Sequence, residues 1–234
     1  MNQRQGKTSE AMFRFKQFAV RQDRCAMKVG TDGVLLGAWA SGGARVLDVG
    51  TGTGVIALMM AQRYPEAVIT GIDMDADAVG QAAANAKASP FARQIRIEQV
   101  RVQDLDDSFS GCFDAVVSNP PFFSDSLQAP DRQRNMARHA ETLTYADLMK
   151  AAGRLLSDDG ELSVIVPFDY RRRMDDEAIF QGLFPSRVCA VKTTPKKPVR
   201  RYLLAYRKQP CRCEQTELVI GDEQYTLLTH DFYL

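Results

Sequence analysis

The sequence predicts an α/β protein built on a doubly wound, mostly parallel, seven-stranded sheet, with an antiparallel hairpin at the sheet end and a short N-terminal extension. Three observations carry this expectation. From Arg45 to Pro167, short β-branched apolar runs alternate with helix-length segments, the pattern of strands joined by helical crossovers. The first of these strands, Arg45–Gly50, runs straight into the glycine-rich turn Thr51-Gly52-Thr53-Gly54 and then into a helix. Asp73, Asp104 and Asn119 then fall at strand carboxyl ends, the rim on which such sheets bind their ligands.

Taken in order, Phe13, Phe15, Phe18 and Val20, interleaved with Arg14, Lys16 and Arg21, read as an extended pair leading into the main domain. Thr31 or Asp32 is placed to cap a short buried helix, Val34–Ala40, whose Trp39 is expected in the core. Val55–Arg63 is a helix and Val68–Asp73 a second strand. The alanine-rich helix Ala76–Ala88 is capped by Asp75. Ile95–Glu98 is a third strand, closed by Val102-Gln103-Asp104, and Phe113–Ser118 is the fourth. Pro120 and Pro121 stop that strand abruptly, because proline cannot donate to a ladder.

Ser124–Arg138 is a polar loop whose length suggests a lid or binding loop. Thr144-Tyr145-Ala146-Asp147 has the form of a capping box, opening a helix with Leu148, Ala152, Leu155 and Leu156 on one face. A fifth strand, Glu161–Pro167, and a helix, Arg171–Phe180, follow. Arg187–Thr194 and Arg201–Lys208 alternate as strands with only Thr194–Pro198 between them, so they are expected to form a hairpin. Glu217–Ile220 and Tyr225–Leu228 are read as a second, terminal hairpin. The organisation expected is one domain over 1–234: a basic extension (1–28), a catalytic core (29–208) and a C-terminal hairpin (209–234).

Bulk properties narrow the class. The 234 residues are 45% hydrophobic and 25% charged, ordinary values for a globular domain. A net charge of +1 hides segregation: seven basic and two acidic side chains lie in the first 28 residues, and eight basic and no acidic ones lie in Ser186–Pro210. Such patches suit a polyanion, with Arg14, Lys16, Arg24, Arg138, Lys196, Lys197, Arg200 and Arg201 as candidate contacts. No apolar run approaches the length of a membrane span and no signal-peptide pattern opens the chain. Five cysteines without a framework spacing fit a reducing cytoplasm, and Cys211-Arg212-Cys213 lacks the partners of a metal site, so no metal is expected.

The glycine turn selects the cofactor class. A dinucleotide fingerprint requires glycine or alanine where Val55 stands. Here Gly50-x-Gly52-x-Gly54 follows Asp48, a carboxylate suited to a ligand with a positive amino group. Asp73 is placed to accept from both hydroxyls of a ribose, and Asp104 to meet an adenine amine. Amino acid, ribose and adenine together describe S-adenosylmethionine. In Asn119-Pro120-Pro121-Phe122, the Asn119 amide and Pro120 carbonyl can accept from an exocyclic amine, while Phe122 and Phe123 can stack on a planar ring.

This set resembles the class I S-adenosylmethionine-dependent methyltransferases, whose fold is Rossmann-like. The tetrapeptide resembles their amino-methylating branch, which acts on adenine N6, guanine N2 or a glutamine amide. Three further stretches, Cys25–Gly33, Asn119–Phe123 and Ala137-Arg138-His139 leading to Leu143-Thr144, are similar to the bacterial tRNA1(Val) (adenine(37)-N6)-methyltransferase family. The resemblance implies N6-methylation of a single-stranded anticodon-loop adenosine in a valine tRNA by a cytoplasmic monomer. It implies cofactor contacts from Lys28, Thr31, Asp32, Asp48, Gly50, Thr51, Gly52, Gly54, Asp73, Met74, Gln103, Asp104 and Asn119. The catalytic residues it implies are Asn119, Pro120, Pro121 and Phe122. A methyltransferase acting on ribosomal RNA (guanine N2 or adenine N6) and a protein-glutamine methyltransferase are the alternatives; the latter needs no basic patches and usually carries tyrosine in place of Phe122.

Overall fold

The computed structural model describes residues 12–25, 27–121 and 143–234. Its centre is an eight-stranded sheet. In chain order come the short antiparallel pair β1 (Met12–Arg14) and β2 (Ala19–Arg21), helix α1 (Thr31–Trp39), β3 (Arg45–Val49), α2 (Val55–Arg63) and β4 (Val68–Asp73). Then follow α3 (Ala76–Ala88), β5 (Ile95–Gln99), β6 (Phe113–Ser118), α4 (Tyr145–Leu155) and β7 (Leu156–Pro167). The last elements are α5 (Arg171–Phe180), β8 (Phe184–Lys192), β9 (Arg201–Arg207), β10 (Glu214–Val219) and α6 (Glu223–Thr229).

The sheet order is β10-β8-β9-β7-β6-β3-β4-β5. Only β9 runs against the others. The chain winds from β3 outward through β4 to β5, then returns to place β6 on the other side of β3. That reversal opens a crevice between the carboxyl ends of β3 and β6.

Strand alternation divides the core into two layers. Val46, Ala115, Val117, Ile69 and Ile165 face α1, α2 and α3, while Leu47, Val116, Leu162, Val164 and Val166 face α4 and α5. The strands are apolar on both faces because helices cover both, as a parallel sheet demands. The expected caps are present at two helices: Asp75 accepts from the Asp77 amide, and Thr144 accepts from the Asp147 amide.

Three expectations are corrected. The sheet has eight strands, not seven. The terminal hairpin is absent: β10 adds in parallel to the outer edge of β8, and Tyr225–Leu228 lies in α6. Asp222, whose side chain accepts from the Tyr225 amide at 2.7 Å, caps that helix, and Gly221 turns into it with φ +87°. Finally, α1 starts at Thr31 with Gly30 as its cap residue, so Thr31 and Asp32 lie in its first turn rather than capping it.

The β1–β2 pair is held by residues far away in sequence. The Lys16 amide donates to the Phe232 carbonyl at 2.8 Å, and the Lys16 ammonium donates to the His230 carbonyl. The Phe15 ring stacks on Phe18 on one side and on Tyr233, with centroids 6.2 Å apart, on the other.

Candidate active site

The loop after β3 is shaped by three glycines with positive φ: Gly50 (+71°), Gly52 (+54°) and Gly54 (+80°). Side chains rarely adopt this region, and a Cβ at Gly54 would come within 3.3 Å of Ala82 on α3. Gly50 and Thr51 donate to the Ile72 carbonyl, at 2.9 and 3.0 Å, which ties the loop to the end of β4. The Gly52 amide donates to Asp73 Oδ2 at 3.0 Å, while Asp73 Oδ1 accepts from the Asp75 amide at 3.0 Å. Backbone donors thus fix the Asp73 carboxylate in orientation.

A cavity of about 240 Å³ opens between this loop and the end of β6. Gly50, Gly52, Asp73, Met74, Gln103 and Asn119 line it, with Pro120 and Pro121 on the same wall. Val49, Ile72, Val100 and Val102 contribute apolar surface. Ser118 Oγ donates to the Val49 carbonyl at 2.8 Å, which locks the ends of β6 and β3 together. Asn119 Oδ1 is buried and accepts no hydrogen bond. An orphaned buried acceptor is costly unless a bound group supplies the missing donor.

Other expected site residues stand elsewhere. Asp48 is fully buried behind the loop, where its Oδ2 accepts from Thr51 Oγ1 (2.7 Å) and the Ala57 amide (3.1 Å). It fastens the turn from below and does not line the cavity; Thr51 serves the same fastening. Asp104 is also absent from the lining. The one-turn 3-10 segment Val102–Asp104 directs it to Arg101 (2.6 Å) and leaves Gln103 on the cavity. Lys28, Thr31 and Asp32 lie at the start of α1, outside the lining, with Asp32 paired to Arg201 at 2.8 Å. Cys25 and Met27 from the preceding loop do line the cavity, as does Leu143. Sequence reasoning missed these three, although the Cys25–Gly33 stretch held the signal for the first two. Phe122 and Arg138 lie outside the described residues.

Burial raises the Asp48 carboxyl to about 7; nearby Asp73 adds to the rise, and the Thr51 and Ala57 hydrogen bonds oppose it. An aspartate in the unfolded chain titrates near 3.9, so the folded state holds this proton more tightly. The contribution is full below the unfolded value and is lost as pH rises through the folded one. Stability should therefore decline between about pH 4 and 7 on account of this group. Asp48→Asn should flatten that slope in denaturant titrations run across the interval. An unchanged slope would assign the pH dependence to other groups.

The basic run of 186–210 does not form one patch. Lys192 pairs with Glu217 at 2.7 Å, Arg201 with Asp32, and Arg187 and Arg207 both with buried Glu161, at 2.5 and 3.0 Å. Lys208 donates to the Leu156 carbonyl at 2.6 Å. Lys196, Lys197 and Arg200 remain exposed on the β8–β9 turn, without an acidic partner among the described residues. Because β8 is parallel to β7 and β6, this turn projects from the same rim as Asn119. Arg14 and Lys16 are exposed on the β1–β2 pair, and Arg24 is exposed beside Cys25.

A glycine loop open to close approach, a fixed carboxylate and an apolar wall with Gln103 beside it fit the parts of S-adenosylmethionine. Among the described residues, no group of three His, Cys, Asp or Glu side chains could hold a metal ion, and no helix is long and apolar enough to cross a membrane.

Comparison with known proteins agrees with the fold and narrows the family. Residues 30–183 match the methyltransferase small domain. A Mannheimia succiniciproducens protein named tRNA1(Val) (adenine(37)-N6)-methyltransferase is 44% identical, over 97% of this chain and 96% of its own length. A Phocaeicola vulgatus protein of the same name is 46% identical over 95% and 97%. Among solved structures, one described as a predicted O-methyltransferase from Agrobacterium tumefaciens superposes with a TM-score of 0.64 at 17% identity, covering 86% of this chain and 96% of that one. A geranyl diphosphate methyltransferase in complex with SAM gives 0.54 at 14% identity, over 75% and 83%. At such identities the two structures speak for the fold alone. The full-length relatives and the matched domain decide the family: this chain is a methyltransferase of the small-domain type and belongs to the tRNA1(Val) (adenine(37)-N6)-methyltransferase family.

Proposed function

We propose that this enzyme transfers a methyl group from S-adenosylmethionine to N6 of an adenosine in tRNA, adenosine 37 of tRNA1(Val), within the single-stranded anticodon loop. The observation that carries the reading is the unpartnered acceptor of Asn119 on the cavity wall, across the crevice from the Gly50–Gly54 loop. The names and full-length identity of the relatives support the substrate. A cytoplasmic monomer is the form proposed.

S-adenosylmethionine supplies an electrophilic methyl carbon. Gly50 and Gly52 would admit it close to the backbone, Asp73 would accept from its ribose, and Met74 and Gln103 would flank its adenine. Asp48 and Thr51 would act through the loop they fasten.

An exocyclic adenine amine is a weak nucleophile because its lone pair is delocalised into the ring. Two N–H donations, to Asn119 Oδ1 and the Pro120 carbonyl, would favour a pyramidal nitrogen whose lone pair points at the methyl carbon. The two prolines hold those acceptors rigidly, and such positioning can lower a barrier by several kcal/mol. No strong base is needed before attack, since the nitrogen becomes acidic only as it is methylated. Phe122 is the proposed stacking partner of the base. A base in a loop is easier to extrude than one in a duplex.

Mass spectrometry of nucleosides from digested tRNA, after incubation with the enzyme and S-adenosylmethionine, tests the reading. N6-methyladenosine in the anticodon-loop fragment of a valine tRNA is expected. Methylguanosine, or methylation confined to ribosomal RNA or a protein glutamine, would overturn it.

The rim cations should contribute phosphate contacts. Replacing Lys196, Lys197 and Arg200 together by alanine should lower the slope of log affinity against log salt by up to about 2–3, at roughly 0.7–0.9 per phosphate released. Arg201, held by Asp32, is left out of that variant because its loss would disturb α1. A slope equal to that of the native enzyme would remove the turn from the RNA-binding surface.

A further inference from the structure

Just outside the cavity, β7 ends at Pro167 and the chain makes a single 3-10 turn, Phe168–Tyr170. Phe168 is 51% exposed and belongs to neither hydrophobic layer, an unusual place for a large ring. The ring is nonetheless fixed. It stacks on Tyr202 of β9, with centroids 5.8 Å apart and planes at 26°. Tyr202 in turn lies under the Arg171 guanidinium, 4.6 Å from its centroid, and is packed against the layer below. The Phe168 amide donates to the Arg200 carbonyl at 3.2 Å, joining this turn to the basic β8–β9 turn.

Its position follows from the sheet register. Ser118 is level with Val164 of β7, so Asn119 is level with Ile165. The strand continues two residues further to Pro167, which sets Phe168 roughly 7–10 Å beyond the level of Asn119 and one strand over. That is the spacing of a neighbouring nucleotide rather than of the methylated base itself.

Charge supports the same occupant. Arg200 has no acidic partner among the described residues. Arg173 lies over the Tyr145 ring at 5.8 Å. Arg171 and Arg172 are partly neutralised, by Asp175 (3.5 Å) and Asp176 (3.9 Å), and Asp169 sits in the turn itself, so the cations that would meet a phosphate are Arg200 and its neighbours Lys196 and Lys197. A half-exposed rigid ring beside unpaired cations is how single-stranded nucleic acid is held: base on the aromatic face, phosphate on the cation.

We propose that Phe168, backed by Tyr202 and flanked by Arg200, is a platform on which a nucleobase next to the methylated adenosine stacks. This rests on the tRNA reading above. Two Phe168 variants and modified anticodon stem-loop RNAs test it. Phe168→Ala should weaken binding of the stem-loop about five- to hundredfold, the range for one lost base–aromatic stack. Phe168→Trp should restore it, and S-adenosylmethionine affinity should be native in both, which separates stacking from misfolding.

With RNAs abasic at each position beside the target adenosine, one should bind the native enzyme as weakly as intact RNA binds Phe168→Ala. On that RNA the variant should show no additional loss. Native-like binding by Phe168→Ala, or equal further losses on every abasic RNA, would overturn the platform while leaving the tRNA reading intact. A native enzyme that leaves the unmodified stem-loop and full-length tRNA unmethylated would overturn both.

Discussion

Asn119→Ala should lower the rate of methyl transfer to tRNA by at least about a hundredfold, a loss of the size seen when one preorganised hydrogen-bonding group is removed from an active site. The same substitution should leave the fold intact. Asn119 Oδ1 accepts no hydrogen bond in the protein, and a buried unpaired polar atom costs about 1–3 kcal/mol, so its removal should leave stability unchanged or raise it. Cofactor affinity should be nearly native, because Asp73 and the glycine loop do not depend on the Asn119 side chain for their own hydrogen bonds. Three readouts separate the explanations: single-turnover transfer to tRNA, calorimetric binding of S-adenosylmethionine, and thermal melting. An equal loss of cofactor binding would move Asn119 from the amine to the cofactor. A native transfer rate would remove it from catalysis.

Asp73→Ala should weaken S-adenosylmethionine binding by at least about a hundredfold, since a hydrogen bond to a charged group contributes about 1.5–3 kcal/mol and the ribose offers two donors. Part of the loss would be indirect, because the same carboxylate accepts from the Gly52 and Asp75 amides and so shapes the loop. Asp73→Asn retains one acceptor oxygen and should fall between the two. The ordering native, Asn, Ala in calorimetric affinity is the expected signature. An alanine variant that binds like the native protein would show that the ribose is held elsewhere.

Most of the fold was legible because its signals are local. The bounds of β4, β6, α2, α3 and α5 follow from periodicity, from caps such as Asp75, and from the paired prolines after β6. The cavity wall was legible for the same reason: glycines, Asp73 and Asn119 stand at strand ends wherever the strands end. What sequence could not show was side-chain direction and long-range pairing. Asp48 and Asp73 look alike in sequence, yet one points into the helix-covered layer and the other onto the cavity. Asp104 is turned away by a single 3-10 turn that leaves its neighbour Gln103 in place. The basic run 186–210 read as one patch because the carboxylates that neutralise it, Asp32, Glu161 and Glu217, lie outside the run. The terminal hairpin was misread because the β-like run Tyr225–Leu228 outweighed Asp222, a cap residue just ahead of it.

The clasp between the β1–β2 pair and residues 230–233 has a consequence for how the enzyme is made. Lys16 and His230 are 214 positions apart, so during synthesis the first-made strands wait for almost the last-made residues. Sheet and glycine loop can assemble from contacts between neighbouring segments well before then. A nascent chain would thus acquire the means to hold its methyl donor before Arg14 and Lys16 are set against the body. Maturation would run from small-molecule competence to full RNA competence in that temporal order.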